Sequence, residues 1–322
     1  MARVVIVTGA AGFAGSHLVD RLAERLPAEQ AIVGWQRPGG TPPQTDVPRV
    51  RWETVDVLDA GQVEAAVARE RPETIYHCAG SPHVASSWSD TLVPLELNIR
   101  STHHLLRAVT RHAPDARVLV PSSALVYRAS NDAIAEDAPL VPRTPYGVSK
   151  LAQELLAARW QRDTGTPALV ARPFNHIGPR QDASFVASAF ARQIAEAEAG
   201  LAPAVIHVGN LDARRDLTDV RDTVAAYEAI AQRGVPGRVY NVCTGCARRV
   251  GDLLDVLLSR AALPVQVAVD AARLRPSDHP VLLGDPGRIE RELGWRAEIP
   301  LAKTLADLLD YWRGRLRARG RA

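Results

Sequence analysis

The first half of the chain alternates short apolar runs with segments whose apolar residues recur at helical spacing. The apolar runs predict the strands Val4–Val7, Ala31–Trp35, Arg51–Val57, Thr74–Cys78, Arg117–Val120 and Ala168–Arg172. Between them, the helical spacing predicts the helices Ser16–Leu26, Asp59–Arg69, Leu92–His112 and Tyr146–Arg162. Apolar strands alternating with helices are typical of a parallel sheet covered on both faces. We therefore expect an α/β fold with a doubly wound parallel sheet of the Rossmann type.

The pattern loosens after Arg172, where polar and turn residues dominate 174–182 and 211–219. Helices or strands are predicted again at Asp219–Arg233, Arg238–Val242, Gly251–Ala261, Val265–Val269 and Leu301–Leu316. We expect residues 1–174 and 216–245 to form the Rossmann domain. Residues 175–215 and 246–322 would then form a smaller C-terminal α/β lobe that binds the substrate.

Composition narrows the class of protein. The chain has 322 residues, 46% of them hydrophobic, which is enough for a sizeable core. Its 39 basic and 36 acidic residues are mixed along the chain, so no concentrated basic face for nucleic acid is expected. No apolar stretch approaches the roughly 20 residues of a membrane span, and no signal peptide is recognisable. With three cysteines, we expect a soluble cytoplasmic protein without disulfides or a membrane partner.

The nine histidines show no compact ligand pattern, so no metal site is expected. Cys243 and Cys246 have the spacing of a redox pair, but they follow a strand-like segment and no second cysteine pair exists. We interpret them as ordinary thiols.

A glycine-rich turn follows the first predicted strand. Gly9, Gly12 and Gly15 allow a tight turn and close approach of a diphosphate, with Phe13 and Ala14 in the same turn. The next helix points its N-terminal N–H groups at that anion. The motif predicts a dinucleotide site, which the carboxyl ends of the other strands complete. The further cofactor-binding residues predicted are Arg37, Asp56, Val57, Cys78, Ala79, Gly80, Tyr146, Lys150 and Pro173.

The end of the second strand bears on the choice of cofactor. A carboxylate there would bind the ribose 2′-hydroxyl of NAD, whereas Arg accommodates the 2′-phosphate of NADP. The chain reads Val33-Gly34-Trp35-Gln36-Arg37, which favours NADP(H) and leaves NAD(H) as the alternative. Asp56 is placed to accept a hydrogen bond from the adenine amino group or, alternatively, to cap the next helix.

Tyr146 and Lys150 are one helical turn apart, on one face of a helix. An ammonium beside a phenol lowers the phenol pKa from about 10 and makes it a usable acid or base. The loop after the fifth strand supplies Ser122 and Ser123, of which we favour Ser123 as the group that hydrogen-bonds the substrate oxygen. The pattern predicts catalytic Ser123, Tyr146 and Lys150.

These features together resemble the extended short-chain dehydrogenase/reductases, the epimerase/dehydratase family that acts on nucleotide sugars. The resemblance covers nearly the whole chain and rests on 8–15, the Ser123/Tyr146/Lys150 set and 172–175. Within this family, 174–179, 208–222, 239–245 and 274–278 are most similar to reductases of GDP-linked 4-keto-6-deoxyhexoses. The related GDP-mannose dehydratases share parts of these stretches.

The resemblance implies an NAD(P)-dependent oxidoreductase whose substrate is a nucleotide sugar, with a GDP-sugar favoured. Substrate-binding residues carried over by resemblance are Ser123, Asn175, Arg192, Arg215 and Arg275. It also implies a homodimer whose interface uses the helices Leu92–His112 and Tyr146–Arg162, with Leu156 and Trp160 as candidate contacts.

One departure bears on the reaction. Family dehydratases carry acids just after the catalytic Ser or Thr, where this chain has Ala124 and Leu125. The departure disfavours dehydration and favours NAD(P)H-dependent reduction of a 4-keto group. A 4-epimerase with tightly bound NAD remains the main alternative, followed by a dehydratase or a non-catalytic NADP(H)-binding protein.

Overall fold

Seven parallel strands form the larger sheet in this computed structural model, which describes residues 3–40, 49–82, 84, 86–273 and 280–319. The sheet order is β10-β6-β5-β4-β1-β2-β3. The strands are β1 (Val4–Thr8), β2 (Ala31–Gln36), β3 (Val50–Thr54), β4 (Thr74–His77), β5 (Arg117–Pro121), β6 (Ala168–Pro173) and β10 (Val239–Val242). The chain reverses its direction of travel across the sheet between β1 and β4. This crossing is the topological switch point of a doubly wound fold, which confirms the predicted fold class.

Helices cover both faces of this sheet. The helices of the first half are α1 (Phe13–Arg25), α2 (Ala60–Glu70), α3 (Leu92–Pro94), α4 (Ser101–His112) and α5 (Pro145–Thr164). A π-helical segment, Leu95–Arg100, joins α3 to α4. One face packs against α1 and the later α7 (Val220–Arg233), and the other against α2, α4 and α5. Both faces of the strands are therefore buried, as their continuous apolar runs predict.

A smaller sheet lies beyond the edge of the larger one. It contains β7 (Asn175–Ile177), β9 (Arg214–Asp219), β11 (Ala247–Arg249) and β13 (Val281–Leu282), while β8 (Val205–Val208) pairs with β12 (Gln266–Val269). The remaining helices are α6 (Val186–Glu198), α8 (Val250–Leu258), α9 (Gly287–Leu293) and α10 (Leu301–Arg319). A separate apolar core forms where α6, α8 and α10 meet β8.

The carboxylate of Asp216 links the two sheets. Its Oδ1 accepts hydrogen bonds from the backbone N–H and hydroxyl of Thr244 at 2.8 and 2.7 Å. Its Oδ2 accepts from the N–H groups of Gly245 and Gly284 at 2.9 and 3.3 Å. Because Thr244 and Gly245 follow β10, one buried side chain of the small sheet fixes the turn at the edge of the large one. Burial raises the pKa of Asp216, and the four donors oppose that shift.

Two segments differ from the sequence prediction. The polar stretches 174–182 and 211–219 contain the strands β7 and β9 rather than only turns. The predicted domain boundaries remain a prediction. The structure places Ile289, Leu293 and Trp295, which that prediction assigns to the lobe, in the core beneath the large sheet with α1 and α7.

Candidate active site

The glycine turn after β1 is tightly packed. Gly9 has a φ of +63°, and a Cβ there would lie 2.7–2.8 Å from backbone atoms of Cys78 and Ala79. A Cβ on Gly15 would overlap the carbonyl oxygen of Gly9. Gly12 precedes α1 without any side-chain cap, so the first N–H groups of the helix are directed at the turn. This cradle fits the diphosphate of a dinucleotide, since the backbone approaches closely and the helix dipole favours an anion.

A buried histidine, His77, hydrogen-bonds to the residue that precedes the glycine turn. The Nδ1 atom of His77 lies 2.9 Å from the hydroxyl of Thr8, and its Nε2 lies 3.1 Å from the hydroxyl of Ser101. The Thr8 hydroxyl in turn accepts a hydrogen bond from the N–H of Ala79 at 3.1 Å. Burial lowers the pKa of His77 to about 3, so the ring is neutral. From its place at the end of β4 it links Thr8 of β1 with Ser101 of α4 by hydrogen bonds.

The three predicted catalytic residues meet at the carboxyl end of β5. Thr144 caps α5, and Tyr146 lies in the first turn of that helix, where it hydrogen-bonds with Ser123. The Lys150 Nζ atom lies 5.9 Å from the centroid of the Tyr146 ring and donates to the carbonyl of Pro121 at 3.0 Å. Strand end and helix start thus bring the hydroxyl, phenol and ammonium together.

Burial dominates the acid–base properties of this pair. It raises the pKa of Tyr146 to about 12, against a smaller opposite effect of the Ser123 hydrogen bond, so the predicted lowering of this pKa by Lys150 is wrong. It lowers the pKa of Lys150 to about 8. At neutral pH the phenol is therefore protonated and the amine charged, which is the state from which a general acid donates.

Asn98 is a further residue at this site that the sequence prediction did not include. It is fully buried in the π-helical segment. Its Oδ1 accepts from the N–H of Ser81 at 2.9 Å, and its Nδ2 donates to the hydroxyl of Ser149 at 2.8 Å. It thereby joins the loop after β4 to α5. A π-helical bulge often marks a functional site, but sequence periodicity hides it, since Leu92–His112 has helical spacing throughout.

The other predicted cofactor residues lie at strand ends. Arg37 is exposed just after β2, and among the described residues no carboxylate pairs with it. Asp56 lies beyond the end of β3, and its Oδ1 accepts from the N–H of Leu58 at 2.9 Å. The capping alternative is wrong, because the N-cap of α2 is Asp59, which accepts from the N–H groups of Gly61 and Gln62. The remaining members are Val57, Cys78, Ala79, Gly80 and Pro173, of which Pro173 ends β6 and the three of 78–80 follow β4. All of these positions lie along the carboxyl edge of the large sheet.

The predicted substrate-binding residues are more widely spread over the structure than the predicted catalytic residues. Asn175 is exposed at the start of β7. Arg215 lies on β9 and donates to the carbonyl of Arg214 at 2.8 Å, and burial lowers its pKa. Arg192 pairs with Glu196 at 2.6 Å on α6, so its described partners lie away from the catalytic group. Arg275 lies outside the described residues.

Comparison with known proteins places the chain in a family. The family model described as GDP-mannose 4,6 dehydratase matches residues 6–308. The chain belongs to this family. A GDP-6-deoxy-D-mannose reductase from Pseudomonas aeruginosa is 34% identical over 320 residues, which cover 98% of this chain and 99% of the relative. Like the other members of the GDP-mannose 4,6-dehydratase family, this chain is an NAD(P)-dependent enzyme of nucleotide-sugar chemistry.

Solved structures agree with this membership. The structure of RMD from Pseudomonas aeruginosa complexed with NADPH has a TM-score of 0.85 and 32% identity, covering 97% of this chain and 99% of its own. A UDP-glucose 4-epimerase from Thermus thermophilus, in complex with NAD, has a TM-score of 0.84 and 26% identity, with coverage of 97% and 99%. These matches support NADP(H) as the favoured cofactor of this family member and keep NAD(H) as the alternative.

Membrane spans and metal clusters are both absent from the described residues. No helix there is long and apolar enough to cross a membrane. Nor, in that part of the chain, do three or more His, Cys, Asp or Glu side chains group so that they could hold a metal ion.

Proposed function

We propose that this enzyme reduces the 4-keto group of a GDP-linked 4-keto-6-deoxyhexose. The observation that carries the proposal is the assembly of Ser123, Tyr146 and Lys150 beside a turn that holds no acid. NADPH, when bound, supplies the hydride for C4 of the sugar. Gly9, Gly12 and Gly15 would hold its diphosphate, and Arg37 its 2′-phosphate.

Side chains of this chain would supply the proton and stabilise the charges that form when it is transferred. Tyr146 is protonated at neutral pH and would donate its proton to the oxygen that gains charge at C4. Ser123 would donate a hydrogen bond to the same oxygen. Lys150 carries its positive charge into this buried site and would stabilise the phenolate that remains.

The turn after Ser123 supports reduction over dehydration. Ala124 is buried and Leu125 packs against an apolar cluster with Phe174 and Tyr127. Neither side chain can remove a proton from C5 of the sugar or protonate a departing hydroxyl at C6. A reductase needs neither step.

A GDP-sugar would lie between the two sheets. Asn175 and Arg215 lie on neighbouring strands, β7 and β9, of the small sheet. A guanidinium presents fixed donors to diphosphate oxygens. We assign residues 175–215 and 246–322 to the nucleotide-sugar lobe, and 1–174 and 216–245 to the cofactor domain, except that Ile289, Leu293 and Trp295 pack in the core of the cofactor domain. Arg192 and Arg275 are further candidate ligands.

We propose a homodimer formed through the outer face of α5 and the neighbouring α3. Val148 and Leu155 on α5 and Leu92 on α3 are large apolar side chains that are exposed in the single chain. Two of them are strongly exposed, Leu155 at 63% and Leu92 at 67%. Leu156 and Trp160, the predicted contacts, are partly exposed and pack against the core that includes α2 and α4. The three free cysteines fit a reducing compartment, and we expect the enzyme to work in the cytoplasm.

The decisive experiment follows NADPH oxidation with GDP-4-keto-6-deoxymannose generated in situ. We expect turnover by the wild type and a loss of about 100-fold or more in Tyr146→Phe, since a positioned general acid contributes about that much. Tyr311→Phe, a change of the same kind on the remote helix α10, is the control and should keep wild-type turnover.

An epimerase would give a different result. The structural similarity to an epimerase bound to NAD makes this the second candidate. Protein that co-purifies with stoichiometric NAD, interconverts two nucleotide sugars and consumes no NADPH would replace the reductase proposal.

A further inference from the structure

The segment Asn175–Gln181, which we call the strap, leads from β6 to the substrate lobe and lies against the glycine turn. The ring of His176 in the strap stacks on the ring of Phe13, with 5.6 Å between the centroids and 6° between the planes. Phe13 is the first residue of α1 and lies between Gly12 and Ala14, within the predicted diphosphate cradle. A substrate-side segment is therefore in parallel, offset-stacked contact with the cofactor-binding turn.

Two more contacts fasten the strap to the same helix. The Nε2 atom of His17 lies 2.8 Å from the carbonyl oxygen of Pro179. The guanidinium of Arg180 pairs with the carboxylate of Asp20 at 2.7 Å. Phe13, His17 and Asp20 recur at three- and four-residue spacing, so one face of α1 carries all three contacts.

The strap is also held from the side of the lobe. The Gln181 side chain donates to the carbonyl of His176 at 2.9 Å. The Gln181 carbonyl accepts from the hydroxyl of Ser188 at 2.7 Å, and that hydroxyl accepts from the Trp312 indole at 2.9 Å. Contacts thus run without interruption from Phe13 through the strap to α6 and α10, the helices of the lobe core.

The backbone geometry of the strap restricts it to few alternative conformations. Gly178 has a φ of +155°, and a Cβ there would lie 2.7 Å from Cγ1 of Val220. Arg180 has a φ of +71°, a conformation that side-chain-bearing residues rarely adopt. Such a conformation persists only where the surroundings fix it, and the pairing of Arg180 with Asp20 on α1 is one such constraint.

We propose that His176 is a positioning residue: its ring, stacked on Phe13, transmits the ordering of the glycine turn by the cofactor to Asn175, the neighbouring ligand of the nucleotide sugar. This inference rests on the proposed function for the identity of the two sites. A bound diphosphate fixes the turn and with it the Phe13 ring. A fixed Phe13 then favours the seated strap, so each ligand strengthens the binding of the other by the same factor.

The titration state of His176 agrees with this role. Burial lowers the pKa of His176, so its ring is neutral at physiological pH and stacks as an aromatic surface. Phenylalanine should therefore replace the ring in this contact, whereas leucine should not.

The test measures hydrogen exchange of the strap amides with and without saturating NADPH, in wild type, His176→Leu, His176→Phe and His207→Leu. His207 is an exposed histidine on β8, and its replacement makes the same chemical change away from the strap. We expect NADPH to slow exchange of the strap by about fivefold or more in wild type, His176→Phe and His207→Leu, and by less than about twofold in His176→Leu.

Equal slowing in His176→Leu, or none in wild type, would overturn the proposal. If His176→Leu does not fold, the Phe13→Leu variant removes the other ring of the stack, and saturating NADPH compensates for the weaker cofactor binding of this variant. NADPH should then slow exchange of the strap in Phe13→Leu by less than about twofold, as expected for His176→Leu. Because the measurement uses NADPH alone, its outcome is independent of whether the enzyme turns over a GDP-sugar.

Discussion

Arg172 and Glu154 form a buried bidentate ion pair directly behind the predicted catalytic helix turn. The Nε and Nη2 atoms of Arg172 donate to the two carboxylate oxygens of Glu154 at 2.9 and 2.6 Å. Arg172 lies on β6 and Glu154 follows Lys150 by one turn of α5, so the pair joins the large sheet to the helix that carries the predicted catalytic ammonium. Burial lowers the pKa of Lys150, and the negative charge of Glu154 opposes that shift.

Replacing Glu154 by Gln should destabilise the protein strongly. The change leaves the guanidinium of Arg172 buried without its counter-charge, and loss of one partner of a buried pair costs about 3–5 kcal/mol. Urea unfolding should show a drop of about 3 kcal/mol in the free energy of unfolding. Glu96→Gln, which breaks an exposed i,i+4 pair with Arg100, should cost less than about 0.5 kcal/mol. Similar losses in the two variants would contradict the structural role of the buried pair.

Reductase activity should fall as the pH rises through about 8. Below this value Lys150 is an ammonium that favours the Tyr146 phenolate, and above it the amine is neutral. The value of kcat/KM should therefore decline by about tenfold per pH unit on the alkaline side. In Lys150→Arg the charge persists, so the residual activity should lose this decline. A wild-type profile that stays flat to well above pH 8 would argue against an essential ammonium.

Gly15→Ala should weaken NADPH binding by about tenfold or more, because the added methyl group displaces the Gly9 carbonyl and opens the turn. Fluorescence titration with NADPH measures this loss. Gly314→Ala on α10 is the control, since its Cβ would meet no atom within 4 Å. That variant should bind NADPH normally and gain about 0.5–1 kcal/mol in the free energy of unfolding. Unchanged affinity in Gly15→Ala would place the diphosphate elsewhere.

Arg37→Asp should shift the cofactor preference from NADPH towards NADH. A carboxylate at this position repels a 2′-phosphate and accepts a hydrogen bond from a 2′-hydroxyl. We expect the ratio of kcat/KM values for the two cofactors to change by about tenfold or more. Arg25→Asp, the same charge change at the far end of α1, should leave the ratio within about twofold. If Arg37→Asp and Arg25→Asp change the ratio equally, the shift in cofactor preference reflects net charge rather than a contact with the 2′-phosphate.

Acid should destabilise the folded protein through His77. Its pKa is about 3 when folded and near the ordinary 6.5 when unfolded, so the unfolded chain binds the extra proton. The stability contribution of neutral His77 is complete above pH 6.5 and is lost as the pH falls towards 3. At pH 5 the loss is about 2 kcal/mol. Unfolding curves at pH 7 and 5 should show a correspondingly smaller loss in His77→Asn, and equal losses would assign the effect to other groups.

The first half of the fold was predictable because apolar burial dominates there. The predicted strand Ala31–Trp35 differs from β2 by one residue at one end, and the predicted helix Asp59–Arg69 differs from α2 by one residue at each end. Larger errors, of three residues, occur at the end of β3 and at the start of α1, which begins at Phe13 rather than Ser16 because the glycine turn leads directly into the helix. Here hydrophobic spacing indicates the body of an element better than its first turn.

Strand β9 was missed for a different reason. Its Asp216, Thr218 and Asp219 are polar but buried, and hydrogen bonds hold the two carboxylates. Asp219 accepts from Arg221 and from the hydroxyl of Thr304. Hydrophobic periodicity cannot detect such a strand. Helix α6 is also absent from the sequence prediction, although Phe190, Ala191 and Ile194 recur at helical spacing and could have indicated it.

The candidate site was predictable where the spacing of residues within one helix fixes their relative positions. The helical spacing of Tyr146 and Lys150 places them together whatever the rest of the fold does. Arg192 and Glu196 have the same i,i+4 spacing on α6, so their ion pair was open to the same reasoning. The position of Asn98 depends on a π-helical bulge and does not follow from residue spacing.

The carboxylate of Asp216 has a consequence for engineering sugar specificity. Exchanging β9 with that of a relative, in order to change the residues around Arg215, would transplant one half of a hydrogen-bonded joint. The matching half is the backbone of 244–245 and 284, which lies far away in the sequence. A chimaera that exchanges only 214–219 preserves the joint if the donor strand also has an aspartate at this position. Because three of the four donors are backbone N–H groups, β9 is exchangeable as a single strand as long as the aspartate is kept.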